Sequence, residues 1–487
     1  MKRTLPAVAG VACLLMLCPA LSAGEAGLRP VSLMKGWTVK TVEDLKELGD
    51  KFARPDFDDA AWDKIDVQDK EDPYQARYVL YRKWFELPPA WKGKKVSVVF
   101  GGVDDDAVVY VNGQKLAEHK GWNTEFAADL SAVAKWDGKN LLAVVADNSG
   151  GGGAGIWRPV SLALTEEVGK AKEAEDAALR AELKKLPFKI IYETWQDTNW
   201  ELFLVNPDGS DPVNLTKTPN LNELYPHASP DGSKVCFVAD EGTGDTAVRN
   251  VYYMNIDGTG RTLVEKNARE SCWTGDGSGI VYLKGEFDKF TPLDYATKGI
   301  FIYDLKTGAR REHPNKGIHH LYNIAASPDG NWFVSTVHAG MGFKHAILAI
   351  EGNGMRVFDL KLGGCRPDLS PDGRRIAWGA SDWALRVADL DFGGPEPKVT
   401  NARDVATSPE PMEIYHVDWS PDGKYVAFSR GPKKKKLGFA PEMIGIQAED
   451  WNLCVGDASA KNRWVTITTD GKCNKEPDWV PVRREAK

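Results

Sequence analysis

The stretch YHVDWSPDGKYVAFSR (residues 415–430) places His416, Asp418 and Asp422 within seven residues, with Trp419 among them. Such polar density suggests a loop that carries chemistry. A turn explains it equally well: Pro421 fixes φ, Asp422 bonds locally and Gly423 accepts a positive φ. Repetition decides between the two. Pro-Asp-Gly or a variant recurs around Asp231, Asp276, Asp329, Asp372 and Asp422, at intervals of 45, 53, 43 and 50 residues. A strand pattern follows each time, as KVCFVAD, GIVYLKG, WFVSTVH, RIAWGAS and YVAFSRG. Asp422 is therefore read as architecture.

A second strand type recurs six times, from ELFLVNPDG at 201 to NLCVGDAS at 452. Periods of this length belong to stacked or radial repeats. The segment opens with FKIIYET (188–194), a strand lacking its turn, and ends with KEPDWVP (475–481), a strand with no turn after it. Each supplies what the other lacks, so residues 188–487 are expected to form six blades closed by both ends, which leaves no sheet edge exposed. The repeats resemble those of the six-bladed TolB-like β-propeller. TolB's own N-terminal domain and partner-binding segment are not recognisable, so its envelope role does not transfer.

Residues 28–164 have another texture. Strands rich in β-branched residues, KKVSVVFGGV and DAVVYVNGQKL, flank Asn112-Gly113, a tight-hairpin signal. FDDAAWDKI (57–65), YRKWFELPPAWKGKKVSVVFGGVDDDAVVYVNGQKL (81–116), HKGWNTEFAADL (119–130) and GIWRPVSLAL (155–164) resemble the sugar-binding domain of glycoside hydrolase family 2, a galactose-binding-like jelly roll. Between the two parts, residues 165–187 are rich in Ala, Glu and Lys and end at a proline, the pattern of a solvent-exposed helical linker. The fold class expected is thus all-β: a jelly-roll sandwich, a short helix and a propeller.

The first 23 residues, with Lys2, Arg3, an apolar run and Leu21-Ser22-Ala23, read as a secretory signal, giving a periplasmic or extracellular protein. Lipid anchoring at Cys18 is disfavoured by Leu17 before it. Loss of the leader moves the formal charge from −7 to −9, which argues against nucleic acid as a partner. The basic run Lys433–Lys436 reads as a solvated loop. Five cysteines remain (Cys236, Cys272, Cys365, Cys454, Cys473), with Cys454–Cys473 the first candidate bridge. No later stretch is apolar enough to span a membrane.

Aligned on the turn proline, the repeats give columns. Two residues upstream stand Ala228, Trp273, Ala326, Leu369, Trp419 and Trp479, an apolar column expected in the core. Three upstream stand His227, Cys272, Ala325, Asp368, Asp418 and Asp478. Five upstream stand Tyr225, Glu270, Asn323, Arg366, His416 and Glu476, near one mouth of the central channel. Strand alternation puts the last two columns on the face opposite the first. They serve either as pairing between blades or as a channel-mouth site. Glu270, Glu476 and His416 are the catalytic candidates. His227, His319, His320 and His416 precede or enter these strands and are candidates for a divalent ion in the channel, Glu476 adding a carboxylate. In the jelly roll, Trp122, Asn123, Asp147 and Asn148 are the carbohydrate-binding candidates, through ring stacking and hydroxyl hydrogen bonds. Trp62 and Trp157-Arg158 read as structural. Asp104–Asp106 offer oxygen ligands for a structural calcium, or a solvated strand entry.

A family 2 hydrolase does its chemistry in a separate barrel of about 250 residues, and only the linker is left unassigned. Nucleophile-elbow, phosphate-loop and zincin motifs are absent. The expectation is an exported, non-catalytic carbohydrate-binding protein directed at a glycan or glycoprotein, its propeller offering a ligand or envelope-protein surface. The alternatives are a propeller glycoside hydrolase or polysaccharide lyase, and a structural envelope adaptor.

Overall fold

A computed structural model describes residues 30–46, 48–67, 74–121, 125–148, 153–242, 246–288, 291–433 and 438–482. The leader, Trp122, Asn123 and Lys434–Lys436 lie outside them. The chain divides into two compact units, Met1–Lys170 and Ala171–Lys487.

In the first unit two antiparallel sheets enclose one core. Val31–Ser32, Val160–Leu164, Val96–Phe100 and Phe126–Asp129 form one sheet; Asp63–Ile65, Trp37–Val42, Tyr78–Phe85, Asn140–Asp147, Asp106–Val111 and Gln114–Lys120 form the other. Alternation along Asp106–Val111 buries Ala107, Val109 and Val111 in one core with Val98 and Phe100 of the facing sheet and Tyr81 of their own. Asn112 and Gly113 take φ of 52° and 84°, the two positive values a type I′ hairpin demands. Trp62 and Trp157 are buried, with the Arg158 guanidinium 4.3 Å from the Trp157 ring centre.

In the second unit there are six four-stranded antiparallel sheets. Their bulged first strands are Asn222–Ala228, Ala268–Trp273, Leu321–Ala326, Cys365–Leu369, Met412–Trp419 and Asn474–Pro481. The last pairs with Phe188–Gln196, so one sheet joins both ends of the segment. The turn that opened the sequence reading is built as the residue types require. Asp422 Oδ1 accepts from Ser420 Oγ (2.7 Å) and Lys424 N (3.1 Å), and Gly423 has φ 65°. The apolar column is core: Trp273, Leu369, Trp419 and Trp479 are buried.

Two expectations are corrected. The helix Thr165–Leu183 is not solvated throughout. Leu179 and Leu183 are buried against Ile190, Tyr192, Val455 and Trp479, and Arg180 donates to the carbonyls of Asp208 (3.1 Å) and Thr466 (2.5 Å). The sparse leucines of an otherwise charged helix mark its packed face. All five mature cysteines are free thiols: Cys473 Sγ accepts the Ala448 N–H (3.3 Å) and Cys454 Sγ lies 3.6 Å from Thr466 Oγ1, so each sulfur is occupied locally instead of bridging the pair. Among the described residues no helix is long and apolar enough to cross a membrane.

Leu183→Ala is expected to destabilise the second unit by about 2–5 kcal/mol, the usual cost of an emptied leucine site. Urea unfolding of the full chain measures it, and Glu173→Ala on the exposed part of the helix serves as the neutral reference.

Candidate functional site

Each of the six first strands breaks register at the same place, with a β-bulge between the sixth and third residues before the turn position. The residue at the break is left-handed in every sheet: Tyr225 (φ 52°), Glu270 (54°), Asn323 (52°), Arg366 (55°), His416 (58°) and Glu476 (49°). None is glycine, and each such conformation costs on the order of 1–3 kcal/mol. A bulge re-aims its side chain. Here it brings the six-residue column predicted from sequence into one network.

Asn323 Nδ2 donates to Tyr225 Oη (3.0 Å), and Asn323 N–H to Glu270 Oε2 (2.8 Å). Arg366 reaches Glu476 Oε1 (3.2 Å), Asp294 Oδ2 (3.3 Å) and the Glu442 carbonyl (3.3 Å). His416 Nε2 lies 2.7 Å from that same carbonyl and 3.1 Å from Glu476 Oε1. Burial, with Arg366 and Lys475 nearby, holds the His416 imidazole well below its ordinary value and so neutral. Burial and Asp294 push Glu270 up to about 7; burial raises Glu476 well above its ordinary value. The nominated catalysts Glu270, Glu476 and His416 are thus enclosed and committed to partners.

What the network positions is a neighbouring cavity of about 350 Å³. Asp294, Tyr295, Tyr322, Arg366, Asp382, Tyr415 and Glu442 contribute to its wall. Glu270, Glu476 and His416 do not. Sequence reasoning missed Asp294, Asp382 and Glu442. Asp294 and Glu442 sit in long connections between the second and third strands of their sheets, 286–296 and 433–451. Length beyond the repeat is the signal that would have found them, because insertions map to one face of repeat proteins.

Buried cations hold both connections. Lys475 Nζ donates to the carbonyls of Pro441 (3.1 Å), Met443 (2.7 Å) and Ile446 (3.1 Å). Arg269 does the same for Leu293 (2.7 Å) and Thr291 (3.2 Å). The carboxyls of the cavity wall differ in environment. Burial raises Glu442 above the usual carboxylate range despite Arg366 and Lys475. Burial would raise Asp382 too, but hydrogen bonds from Lys433 (2.8 Å) and Tyr415 overcome it and hold Asp382 low. Burial, Glu442 and Asp382 push Glu413 up to about 7. Two carboxyls whose environments push them in opposite directions are the arrangement from which acid–base cleavage is built. A second cavity of about 490 Å³ opens among turns, where Asp276, Asp304 and Asp329 are spent on turn hydrogen bonds.

The metal candidates separate. His320 pairs with Glu286 (3.1 Å), His416 with Glu476, and His227 with Asp478 (3.0 Å), because the first precedes its strand, the second is a bulge residue and the third lies beyond the bulge. His319 is tied to the Gly317 carbonyl (2.9 Å) and the Met341 N–H (3.1 Å). Among the described residues, the group whose ligand atoms all lie within 4.8 Å of one another is His227, Asp418 and Asp478. In the column that holds them, pairing runs from sheet to sheet: Asp368 accepts the Trp419 N–H (2.9 Å) and Asp478 the Ala228 N–H (2.8 Å).

In the first unit Asp147 pairs with Arg77, and Asn148 exchanges backbone and side-chain hydrogen bonds with Arg77 (2.9 Å) and Ala76 (3.2 Å). Asn148 Oδ1 is buried with no partner among the described residues. Of Asp104–Asp106, Asp104 is buried and Asp106 accepts the Gly121 N–H (3.2 Å).

The profile described as "Glycosyl hydrolases family 2, sugar binding domain" matches residues 39–162. A β-galactosidase of Thermoanaerobacter pseudethanolicus is 44% identical over 81 residues, 16% of this chain and 11% of that protein. A β-glucuronidase of Bacteroides fragilis is 28% identical over 117 residues, 22% and 17% of the respective chains. A solved family 2 glycosyl hydrolase from Bacteroides cellulosilyticus overlaps 69% of this chain and 39% of its own at 18% identity and a TM-score of 0.25. The chain spans no more than 17% of the length of these two curated relatives. Their names overturn the expectation of a non-catalytic binder. The absence of familiar motifs had been read as absence of a catalyst.

The ion-free protein is expected to lose stability as pH rises. Asp368, Glu270 and Glu413 each have a folded value of about 7, above that of a free carboxyl. A raised carboxyl stabilises fully below its unfolded value of about 4, and that contribution disappears as pH climbs through 7. Melting temperature from pH 5 to 8.5 should fall across this window, and fall less in Asp368→Asn.

Proposed function

We propose that this is an exported glycoside hydrolase in which residues 39–162 hold a glycan and the cavity at Asp382 and Glu442 cleaves it. The observation that carries this reading is the cavity itself: Glu442, its carboxyl raised by burial, and Asp382, held low by Lys433 and Tyr415, share a wall with Tyr295, Tyr322 and Tyr415, the two carboxyls and ring faces a glycosidic bond requires. In this reading Glu442 protonates the leaving oxygen as the glycosidic C–O bond breaks and the Asp382 carboxylate, held low by Lys433 and Tyr415, bonds to the anomeric carbon; water, giving a proton back to Glu442, then displaces Asp382 and frees the sugar. The named relatives support a β-linked substrate, and the leader-like residues 1–23 support export.

The second unit is proposed to be a closed six-bladed, TolB-like propeller. Its support is that each first strand contacts the next, and Asn474–Pro481 contacts both Met412–Trp419 and Asn222–Ala228.

The purified chain is to be assayed on 4-nitrophenyl β-galactoside and β-glucuronide and on a panel of β-linked polysaccharides. Glu442→Gln and Asp382→Asn should each lower kcat by about 10²–10⁴-fold with the melting temperature kept within a few degrees. Release of unsaturated uronates in place of reducing ends would replace hydrolysis by elimination. No release from any substrate, or undiminished release by both variants, would sink the assignment.

A further inference from the structure

Asp368, Asp418 and Asp478 come from three consecutive first strands in the second unit, and His227 comes from a fourth. Their side chains are locked in place. Asp368 Oδ2 takes the Trp419 N–H, Asp478 Oδ2 takes the Ala228 N–H, and Asp418 takes that of Trp479. The ligand atoms of His227, Asp418 and Asp478 all lie within 4.8 Å of one another, and Asp478 Oδ2, which takes the Ala228 N–H, also faces His227.

The charge count at this point is unbalanced. Among the described residues no lysine or arginine pairs with any of the three aspartates, and the one basic group in contact is His227, with Nδ1 3.0 Å from Asp478 Oδ2. Asp418 lies within hydrogen-bond reach of Asp478, an approach of two carboxyls that needs a proton or a cation between them. The Tyr225 ring, 4.6 Å from the imidazole, and the thiols of Cys236 and Cys272 complete the surroundings and bring no positive charge. Solvent reaches the group: the His227 side chain is 20% exposed and that of Asp478 11%.

We propose that His227, Asp418 and Asp478, with Asp368 beside them, bind one divalent transition-metal cation of the Mn²⁺ or Zn²⁺ type. Carboxylate oxygens together with an imidazole nitrogen suit such an ion. Three protein ligands and a neighbouring acid fall short of the six to eight oxygens that calcium gathers. The ion ties together the three sheets that carry His227, Asp418 and Asp478. This site is separate from the cavity that carries the proposed hydrolysis and does not depend on it.

Mn²⁺ is the probe, because the paramagnetic resonance signal of the aqueous ion disappears on binding. Titrating the full chain at pH 7.5 should remove signal to a limit of one ion per chain, and Zn²⁺ should restore it by competition. Asp418→Asn and His227→Gln should each weaken Mn²⁺ binding at least tenfold. Since coordination displaces a proton, wild-type affinity should fall at pH 5.5. His227→Gln, at the more exposed position, keeps the test valid if Asp418→Asn does not fold by circular dichroism. An unchanged signal with wild type at millimolar Mn²⁺, or equal binding by wild type and a folded variant, would overturn the assignment.

Discussion

A left-handed residue on the first strand of every sheet is the constraint on which the second unit depends. An L-residue accepts that conformation only when its surroundings over-determine it, and here six do so in register. The break turns Tyr225, Glu270, Asn323, Arg366, His416 and Glu476 into one network, where hydrogen bonds and the Arg366 ion pairs compensate local strain. The same position of every sheet thus carries a left-handed polar or aromatic residue. The apolar column three residues further on stays free to pack as core.

That division explains why so much was legible in the sequence and why the rest was not. The turn proline anchors the register, so every column at a fixed distance from it could be read before any coordinate was known, including Trp419 as core and the convergence of the fifth-upstream column. The left-handed conformation was not legible, because Tyr, Arg and Glu carry no signature of it; only glycine would have announced a positive φ. Nor was the burial of Leu179 and Leu183, two apolar residues in a helix otherwise rich in charge.

The site escaped for the opposite reason. Asp294 and Glu442 belong to connections that repeat nowhere else in the chain, and a column alignment discards what does not repeat. The repeat supplies Glu270, His416 and Glu476, the catalytic candidates of the columns, and all three are buried and lie outside the cavity wall. In the structure they support from behind. Arg366 and His416 hold the Glu442 carbonyl, and the carboxyls of the cavity wall have different environments: Glu442 is desolvated, and Asp382 is donated to by an ammonium and a phenol. Histidines behaved likewise, since their spacing grouped them and their positions relative to the bulge separated them.

Lys475 gives the arrangement an order in time. The ammonium that holds the loop carrying Glu442 lies on the strand Asn474–Pro481, which also pairs with the strand that opens the segment. Five sheets are fully encoded before that lysine is translated. A chain that ends before residue 475 therefore keeps the Arg366 and His416 contacts to the Glu442 carbonyl but lacks the ammonium that gathers the carbonyls of Pro441, Met443 and Ile446. The connection that carries Glu442 thus receives its last holding contact from the strand that joins both ends of the segment.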